Sequence, residues 1–197
     1  MQPQVTAIIL AAGASRRLGQ PKQLVQLDGK PLILRLCEQI LPLTASVKVV
    51  TGAIHQEITE LLCHLPVGIT HCPDWNEGMS ASLKAGLDVL PEATTHILLC
   101  LSDQPLIPAS HYEELVRRQG LHPQKVVATA HSTITAGVPA LFPLRYRSQL
   151  QQIKGDKGAR VLLKQLSAEE LVTVPCEEAA FDVDRNEHLA RLHPDRL

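Results

Sequence analysis

Short apolar runs rich in β-branched residues alternate with longer amphipathic stretches along this chain, and this alternation restricts its fold more than any other feature. The runs VTAIIL, SVKVVTG, VGITHC, HILLCLSD and KVVATA occupy residues 5–10, 46–52, 67–72, 96–103 and 125–130. Several are apolar on both faces, as strands inside a parallel sheet tend to be. Strand–helix–strand alternation predicts an α/β fold, with a mostly parallel sheet covered by helices on both faces.

Helical periodicity fills the intervals between these runs. Pro31 opens PLILRLCEQILPL at a favoured first helical position, and HQEITELLCHL carries an apolar helical stripe. MSASLKAGLDVL and PASHYEELVRRQG are also predicted helices, the latter capped by Gly120. Farther on, AGVPALFP (136–143) and ELVTVPC are predicted strands, RYRSQLQQI and a segment from about Ala159 are predicted helices, and FDVDRNEHLARL is a predicted strand end followed by a last helix. We expect residues 1–197 to form a single domain.

Composition argues against several classes of protein. Hydrophobic residues make up 45% of the 197 residues and aromatic residues only 3%, so the core must be aliphatic. A net charge of −1 argues against a general binder of nucleic acid or membrane surfaces. The five cysteines include no C-x-x-C pair, which argues against a disulfide framework or zinc site. Because the sequence contains no bilayer-spanning apolar stretch, we expect a cytoplasmic protein.

The segment LAAGASRRLGQPK, from Leu10 to Lys22, follows the first predicted strand directly and concentrates glycine and cationic residues. It matches neither the Walker pattern nor the dinucleotide-binding G-x-G-x-x-G pattern. Its parts nevertheless suit a polyphosphate, because Gly13 lets backbone amides approach an anion, Arg17 offers a planar fork and Lys22 a mobile point charge. Parallel sheets bind ligands beyond the carboxyl ends of their strands, where this loop lies. A solvated surface loop is the alternative.

The same loop, followed by LDGKPLI, resembles the signature of the MobA/MocA-like NTP transferases, which include the molybdenum cofactor cytidylyl- and guanylyltransferases. That signature is roughly L-A-[AG]-G-x-S-x-R-[ML]-G-x-x-K, and this chain has Leu18 where methionine is commoner. NEGMSASLKAGL, LSDQP and GDKGAR stand in the family's order and spacing, so the resemblance extends over nearly the whole chain. It implies a Rossmann-like, three-layer α/β/α sandwich of the nucleotide-diphospho-sugar transferase type.

The resemblance also implies a reaction, in which a phosphate oxygen of an acceptor attacks the α-phosphorus of an NTP and pyrophosphate leaves. Both reactants are anions, so preorganised cations and amides are expected to carry most of the catalysis. The implied catalytic residues are Arg17, Lys22 and Asp103. The implied nucleotide-binding residues are Leu10, Ala11, Ala12, Gly13, Arg17, Lys22, Gly78, Met79 and Ser80. Helix capping is the alternative role for Ser80.

Two acidic segments are candidates for a Mg²⁺ site. Asp103 ends a buried predicted strand, where a carboxylate can meet Mg²⁺ that bridges phosphate oxygens, and capping of the following turn is the alternative. Asp182 and Asp184 would share one face of a strand. The family has a similar acidic pair, often followed by Thr-Pro, where this chain has Arg185-Asn186. We expect Asp184, in preference to Asp182, to complete the metal site with Asp103, and the other to cap the last helix.

The remaining motifs concern the acceptor. GDKGAR resembles the family's mobile segment over the acceptor, which implies that Lys157 and Arg160 contact acceptor phosphate, and a solvated loop is the alternative. Relatives commonly have Gly-His-Pro where this chain has Gly137-Val138-Pro139, so we expect an acceptor pocket of altered polarity.

The substrates and partners follow from the resemblance in the same way. The Ala-Ala-Gly opening favours CTP, and the family implies a molybdopterin-type acceptor and a molybdenum enzyme or its chaperone as a partner. The alternatives are a GTP-using enzyme, an enzyme for a sugar or polyol phosphate, and a non-catalytic nucleotide-binding accessory protein for molybdenum enzymes. The three acidic residues favour catalysis over the accessory role.

Overall fold

The computed structural model describes residues 3–132 and 134–192. Its strands are β1 (Val5–Ala11), β2 (Gln26–Leu27), β3 (Lys30–Pro31), β4 (Ser46–Thr51), β5 (Gly68–His71), β6 (His96–Leu101), β7 (Val126–His131), β8 (Ile134–Pro143) and β9 (Leu171–Pro175). Its α-helices are α1 (Leu32–Ile40), α2 (His55–Leu62), α3 (Met79–Asp88), α4 (Ala109–Leu121), α5 (Arg147–Gln151), α6 (Arg160–Leu163) and α7 (Asn186–Leu192).

Seven of these strands form one sheet in the order β5-β4-β1-β6-β8-β7-β9, and β2 and β3 form a separate antiparallel hairpin. The pairs β4–β5, β1–β4, β1–β6 and β7–β9 are parallel. Only β8 opposes its neighbours, pairing antiparallel with β6 and β7. The predicted α/β fold with a mostly parallel sheet is confirmed.

Strand β1 shows why helices must cover both faces of this sheet. Ala7 and Ile9 belong to the apolar cluster that also contains side chains of α1, α2 and α4. Ile8 and Leu10 point to the opposite cluster, which contains side chains of α3, α5 and α6. Because all seven residues of β1 are buried, the strand has no face left for water. The result is the predicted three-layer α/β/α arrangement.

A smaller apolar cluster ties the loop after β1 to distant parts of the chain. Leu18 from that loop packs with Leu27 of the hairpin, Leu32 of α1, and Val183 and Leu192 near the C-terminus. The loop is therefore anchored on the same side as the last helix.

Three predicted element ends are wrong. Pro31 is not the first residue of α1, because it pairs in β3 and the helix begins at Leu32. Gly120 does not cap α4, because the helix continues to Leu121 and the amide of His122 bonds to the carbonyls of Arg118 and Gln119. Pro123 explains the later end, since a residue before proline is disfavoured in the helical region. Residues 181–184 are irregular rather than a strand end. The helices of the described part of the chain are all too short or too polar to cross a membrane.

Candidate active site

Three neighbouring parallel strands end at the same edge of the sheet. Strand β1 leads into Gly13, β4 into Gly52 and β6 into Asp103. Because parallel strands bring their carboxyl ends to one edge, residues that are far apart in sequence meet there. This edge carries two adjoining cavities, which we call the first and the second cavity.

A buried glutamine holds the loop after β1 in place. Nε2 of Gln23 donates hydrogen bonds to the carbonyl oxygens of Ala11 and Gly13, at 2.8 and 2.9 Å. The amide of Lys22 donates to Oγ of Ser15 at 3.0 Å. The sequence reasoning missed Gln23, whose one local signal is its place directly after Lys22 in the motif. The loop backbone is consequently fixed by the protein itself.

The Lys22 ammonium lies between two carboxylates. Its Nζ is 2.5 Å from Oδ2 of Asp103 and 3.2 Å from Oδ1 of Asp184. The side chains of Lys22 and Asp103 are only 16% and 17% exposed, whereas that of Asp184 is 47% exposed. The structure thus brings together three sequence-predicted residues from the first loop, the end of β6 and the C-terminal region.

One backbone hydrogen bond places the C-terminal acidic segment. The amide of Val183 donates to the carbonyl oxygen of Asp103 at 2.9 Å, and the Val183 side chain is fully buried. Because this single contact replaces a strand ladder, the two flanking carboxylates do not share one face as predicted. Asp184 contacts Lys22, and Asp182 lines the second cavity.

Electrostatics at this cluster favour a charged lysine. Burial disfavours the Lys22 ammonium, but attraction and hydrogen bonds to Asp103 and Asp184 outweigh it and raise its pKa. Desolvation, together with repulsion from Asp103 and Asp184, raises the pKa of Asp182 to about 6. The site therefore concentrates negative charge that the single ammonium offsets only in part.

The first cavity has a volume of about 370 Å³, and its lining includes the charged residues Arg16, Lys22, Asp103 and Asp156. Its walls include Gly13, Lys22, Asp103, Trp75 and Gly78. A Cβ on Gly13 would meet no atom within 4 Å, so the missing side chain leaves open space beside the loop backbone. A triphosphate needs such room, with exposed amides and an ammonium nearby.

The second cavity has a volume of about 310 Å³ and adjoins the first. It is bounded by aliphatic side chains such as Leu83 and Leu99, with Gln104 and Asp182 among its polar residues. Val138, at the position where the family resemblance implies a histidine, lines this cavity. The altered residue therefore belongs to the wall of a cavity that adjoins the polar cluster.

The predicted residues of the glycine loop and of the α3 start fall into three groups. Leu10, Ala12, Gly13, Lys22, Gly78 and Met79 line the first cavity. Ala11 and Ser80 are buried but do not line it. The amide of Ser80 donates a hydrogen bond to the carbonyl oxygen of Gly155 at 3.1 Å. Arg17 lines a separate shallow depression with Arg185.

The first cavity contains Arg16 instead of Arg17. The reason is a turn in which the amide of Leu18 donates to the carbonyl oxygen of Ser15 at 2.9 Å. Burial of Leu18, 2% exposed, directs the preceding side chains to different sides of the loop. In the acceptor motif, Arg160 lines the second cavity, whereas Lys157 is exposed and lines neither.

The carboxylates fit a divalent cation that also binds phosphate. Oδ1 of Asp103 is buried and has no hydrogen-bond partner within the described residues, as expected of an oxygen available to a hard cation. Over residues 3–132 and 134–192, no group of three or more His, Cys, Asp or Glu side chains is arranged to hold a metal alone. Mg²⁺ characteristically uses one or two carboxylates with substrate phosphates and water, so Asp103 and Asp184 suffice.

A comparison of the sequence with known families agrees with this geometry. The family described as the MobA-like NTP transferase domain matches residues 7–171. The chain belongs to this family. The match covers most of β1, the loop after it and Asp103, and it identifies the protein as a nucleotidyltransferase.

Two curated relatives of this MobA-like chain match almost its whole length. Nicotine blue oxidoreductase of Paenarthrobacter nicotinovorans is 32% identical over 200 residues, covering 96% of this chain and 97% of that protein. Molybdenum cofactor guanylyltransferase of Vibrio cholerae is 26% identical over 204 residues, covering 98% and 96%.

Solved structures show the same fold. Rv0371c from Mycobacterium tuberculosis has a TM-score of 0.80 at 21% identity, covering 98% of this chain and 99% of that one. A second crystal structure of Rv0371c is a complex with manganese, with a TM-score of 0.78 at 20% identity, covering 98% and 99%.

Proposed function

We propose that this MobA-like transferase moves CMP from CTP to a molybdopterin-type acceptor in a Mg²⁺-dependent reaction that releases pyrophosphate. The observation that carries the proposal is the Lys22 ammonium between Asp103 and Asp184, at the sheet edge beside Gly13. Cationic, acidic and backbone-amide groups for a metal-bound triphosphate are thereby collected in one place.

The loop after β1 binds the triphosphate in this proposal. Its backbone is held by Gln23, so the amides near Gly13 need little reorganisation when the ligand arrives. Lys22 donates to the carboxylates in the free protein and transfers its hydrogen bonds to phosphate oxygens when the nucleotide binds. Arg17 is proposed to turn from its shallow depression towards the same phosphates, because it lies within this loop.

Asp103 and Asp184 would hold the divalent cation. When bound, the cation supplies charge neutralisation on the phosphate oxygens and makes the α-phosphorus more electrophilic. Asp103 contributes its buried Oδ1, and Asp184 becomes available once Lys22 turns to the nucleotide. The crystal structure of Rv0371c with manganese supports a divalent cation in a protein of this fold.

Close packing of Trp75 and Ala12, which both line the first cavity, against Gly52 supports CTP. A Cβ on Gly52 would lie 2.6 Å from Cγ of Trp75 and 2.6 Å from the carbonyl oxygen of Ala12, so these groups are packed closely together. A pyrimidine fits beside this wall with less displacement than a purine. GTP is the competitor, because the Vibrio cholerae relative is named a guanylyltransferase.

The second cavity is proposed to hold the acceptor. It adjoins the first at Leu10, Met79 and Leu101, so an acceptor phosphate there would approach the α-phosphorus. Arg160 is the cationic residue of its wall that would bind acceptor phosphate. Val138 leaves one side of this cavity apolar.

The experiment is pyrophosphate release from each of the four NTPs with molybdopterin, in Mg²⁺ and in EDTA. We expect release with CTP, dependent on both Mg²⁺ and acceptor. Faster release with GTP would overturn the choice of base. Tight nucleotide binding without turnover of any NTP would contradict the transferase and favour the accessory role.

A second candidate is an oxidoreductase activity, favoured by the 32% identity to nicotine blue oxidoreductase across 96% of the chain. Reduction of an aromatic acceptor in the largely aliphatic second cavity would not require the Lys22 cluster. Oxidation of NADH or NADPH with a dye acceptor, followed by absorbance, tests it. We expect no oxidation, and a rate that survives Asp103→Asn would favour this candidate.

A further inference from the structure

The first and second cavities share three lining residues, and one of them is able to move. Leu10 and Leu101 are paired in register on β1 and β6, so the sheet fixes their positions. Met79 begins α3, is 37% exposed and has a flexible thioether side chain. The adjustable part of the wall between the cavities is therefore Met79.

The loop of residues 155–158, between α5 and α6, packs directly against this methionine. A Cβ on Gly158 would lie 2.6 Å from Sδ of Met79, so the bare backbone is in contact with the thioether. The amide of Ser80 also donates to the carbonyl oxygen of Gly155 at 3.1 Å. The loop is thus docked on the start of α3 at both of its ends.

The same loop reaches both cavities. Asp156 lines the first cavity, whereas Gly158 and Arg160 line the second. Gly78, with φ of 114°, faces the loop so closely that a Cβ would lie 2.7 Å from Oδ1 of Asp156. Met79 and the loop backbone therefore contact both cavities.

We propose that Met79 and Gly158 form a partition that keeps water from the α-phosphorus and sets the ratio of nucleotidyl transfer to NTP hydrolysis. This inference rests on the proposed transferase function. In hydrolysis, a water oxygen bonds to the α-phosphorus, the α–β phosphoanhydride bond breaks, pyrophosphate leaves and a water proton passes to solvent. An apolar wall at the junction excludes that water while the acceptor phosphate enters from the second cavity.

Two variants disturb the partition by different routes. Met79→Ala removes the thioether. The new methyl group of Gly158→Ala displaces the flexible Met79 side chain and meets no backbone atom within 4 Å. Met79→Leu refills the space, and Gly120→Ala is a matched control because a Cβ there meets no atom within 4 Å. With CTP and molybdopterin, we expect the ratio of free CMP to acceptor product to rise about tenfold in the first two variants and to stay unchanged in the other two.

A second measurement does not require turnover. Trp75 is the only tryptophan of the chain and lines the first cavity, so acrylamide quenching of its fluorescence reports access to that cavity. We expect a larger Stern–Volmer constant in Met79→Ala and Gly158→Ala than in the wild type, Met79→Leu and Gly120→Ala. Increased quenching in a protein that turns over no NTP would support the partition and contradict the proposed function. Unchanged quenching, or an unchanged product ratio in an active enzyme, would overturn the partition.

Discussion

The two cavities meet at one wall but are built in opposite ways. The first is organised by charge and by a backbone held in place, with the Lys22 ammonium at 2.5 Å from Asp103 and Gln23 fixing the loop. The second is organised by aliphatic side chains from several strands and helices, with few charged residues among them. Under the proposed function, the first cavity serves the transfer chemistry and the second serves recognition of the acceptor.

If this contrast is correct, substitutions of residues that line the first cavity should slow the reaction with any acceptor. The largest effect is expected from Asp103→Asn, which removes negative charge from the proposed metal position but keeps the shape of the side chain. We expect kcat to fall by at least about 100-fold, the usual scale for loss of one group that stabilises transition-state charge. The circular dichroism spectrum should stay unchanged because Lys22 retains Asp184 as a partner.

Asp28→Asn is the control for that prediction, since Asp28 is 75% exposed and contacts Arg35 at the surface. It should keep full activity. Equal rates for the wild type and Asp103→Asn would show that Asp103 has no role in the reaction. The proposed difference between the two cavities would then be wrong.

The next largest effect concerns Lys22→Met, which removes the cation between the carboxylates. We expect nucleotide affinity to fall about tenfold, since a charge-assisted hydrogen bond to phosphate is lost. Mn²⁺ should bind the nucleotide-free variant more tightly than the wild type, because Asp103 and Asp184 no longer have a competing ammonium. Electron paramagnetic resonance of free Mn²⁺ measures this directly.

Lys30→Met, which removes an exposed lysine 2.7 Å from Glu38, serves as its control and should change neither quantity. Weaker Mn²⁺ binding in Lys22→Met than in the wild type would show that Lys22 supports the metal instead of competing with it.

Val138→His tests the second cavity separately, because Val138 lines only this one of the two cavities. We expect the KM for the acceptor to change about threefold, the scale of one altered contact worth less than 1 kcal/mol, with the KM for CTP unchanged. Steady-state kinetics with each substrate varied in turn measures both. An equal change in the KM for CTP would mean that the cavities are not separate binding sites.

The smallest expected effect is a pH-dependent change in stability. The pKa of Asp182 is raised from 3.8 to about 6, so its ionised form is disfavoured by folding. The resulting destabilisation is absent below about pH 4 and complete above about pH 6. Solvent screening of this exposed side chain reduces it to about 1 kcal/mol or less.

Asp182→Asn should therefore raise Tm by about 2 °C at pH 7.5 and leave it unchanged at pH 4. Thermal melts at the two pH values measure this, with the exposed Glu169→Gln as a control. A lower Tm for Asp182→Asn at pH 7.5 would mean that the carboxylate is stabilising where it lies.

The sequence predicts the fold and the first cavity far better than the second. Strand β1 and its loop form one contiguous motif, so Gly13 and Lys22 can be placed beside each other without knowledge of the tertiary structure. The position of Asp103 near this loop is also predictable, because β1 and β6 are parallel apolar strands whose carboxyl ends lie at the same edge of the sheet. Arg16 and Arg17 point to different sides of the loop because Leu18 is buried against Val183. This long-range contact cannot be predicted from the local sequence.

The second cavity depends on side chains from remote segments. Gln104 follows β6, Val138 lies in β8 and Asp182 lies in an irregular segment, and no local spacing joins them. The placement of Asp182 and Asp184 towards different neighbours follows from the Val183–Asp103 backbone hydrogen bond, a long-range contact. Periodicity on a supposed strand therefore predicts the wrong geometry there.

The measurement that tests the account most directly is a crystal structure with Mg²⁺ and a non-hydrolysable CTP analogue. We predict triphosphate oxygens against the backbone at Gly13, Lys22 turned to the phosphates, and Mg²⁺ at about 2.1 Å from a carboxylate oxygen of Asp103. A triphosphate bound outside the first cavity, with Lys22 still between Asp103 and Asp184, would contradict it.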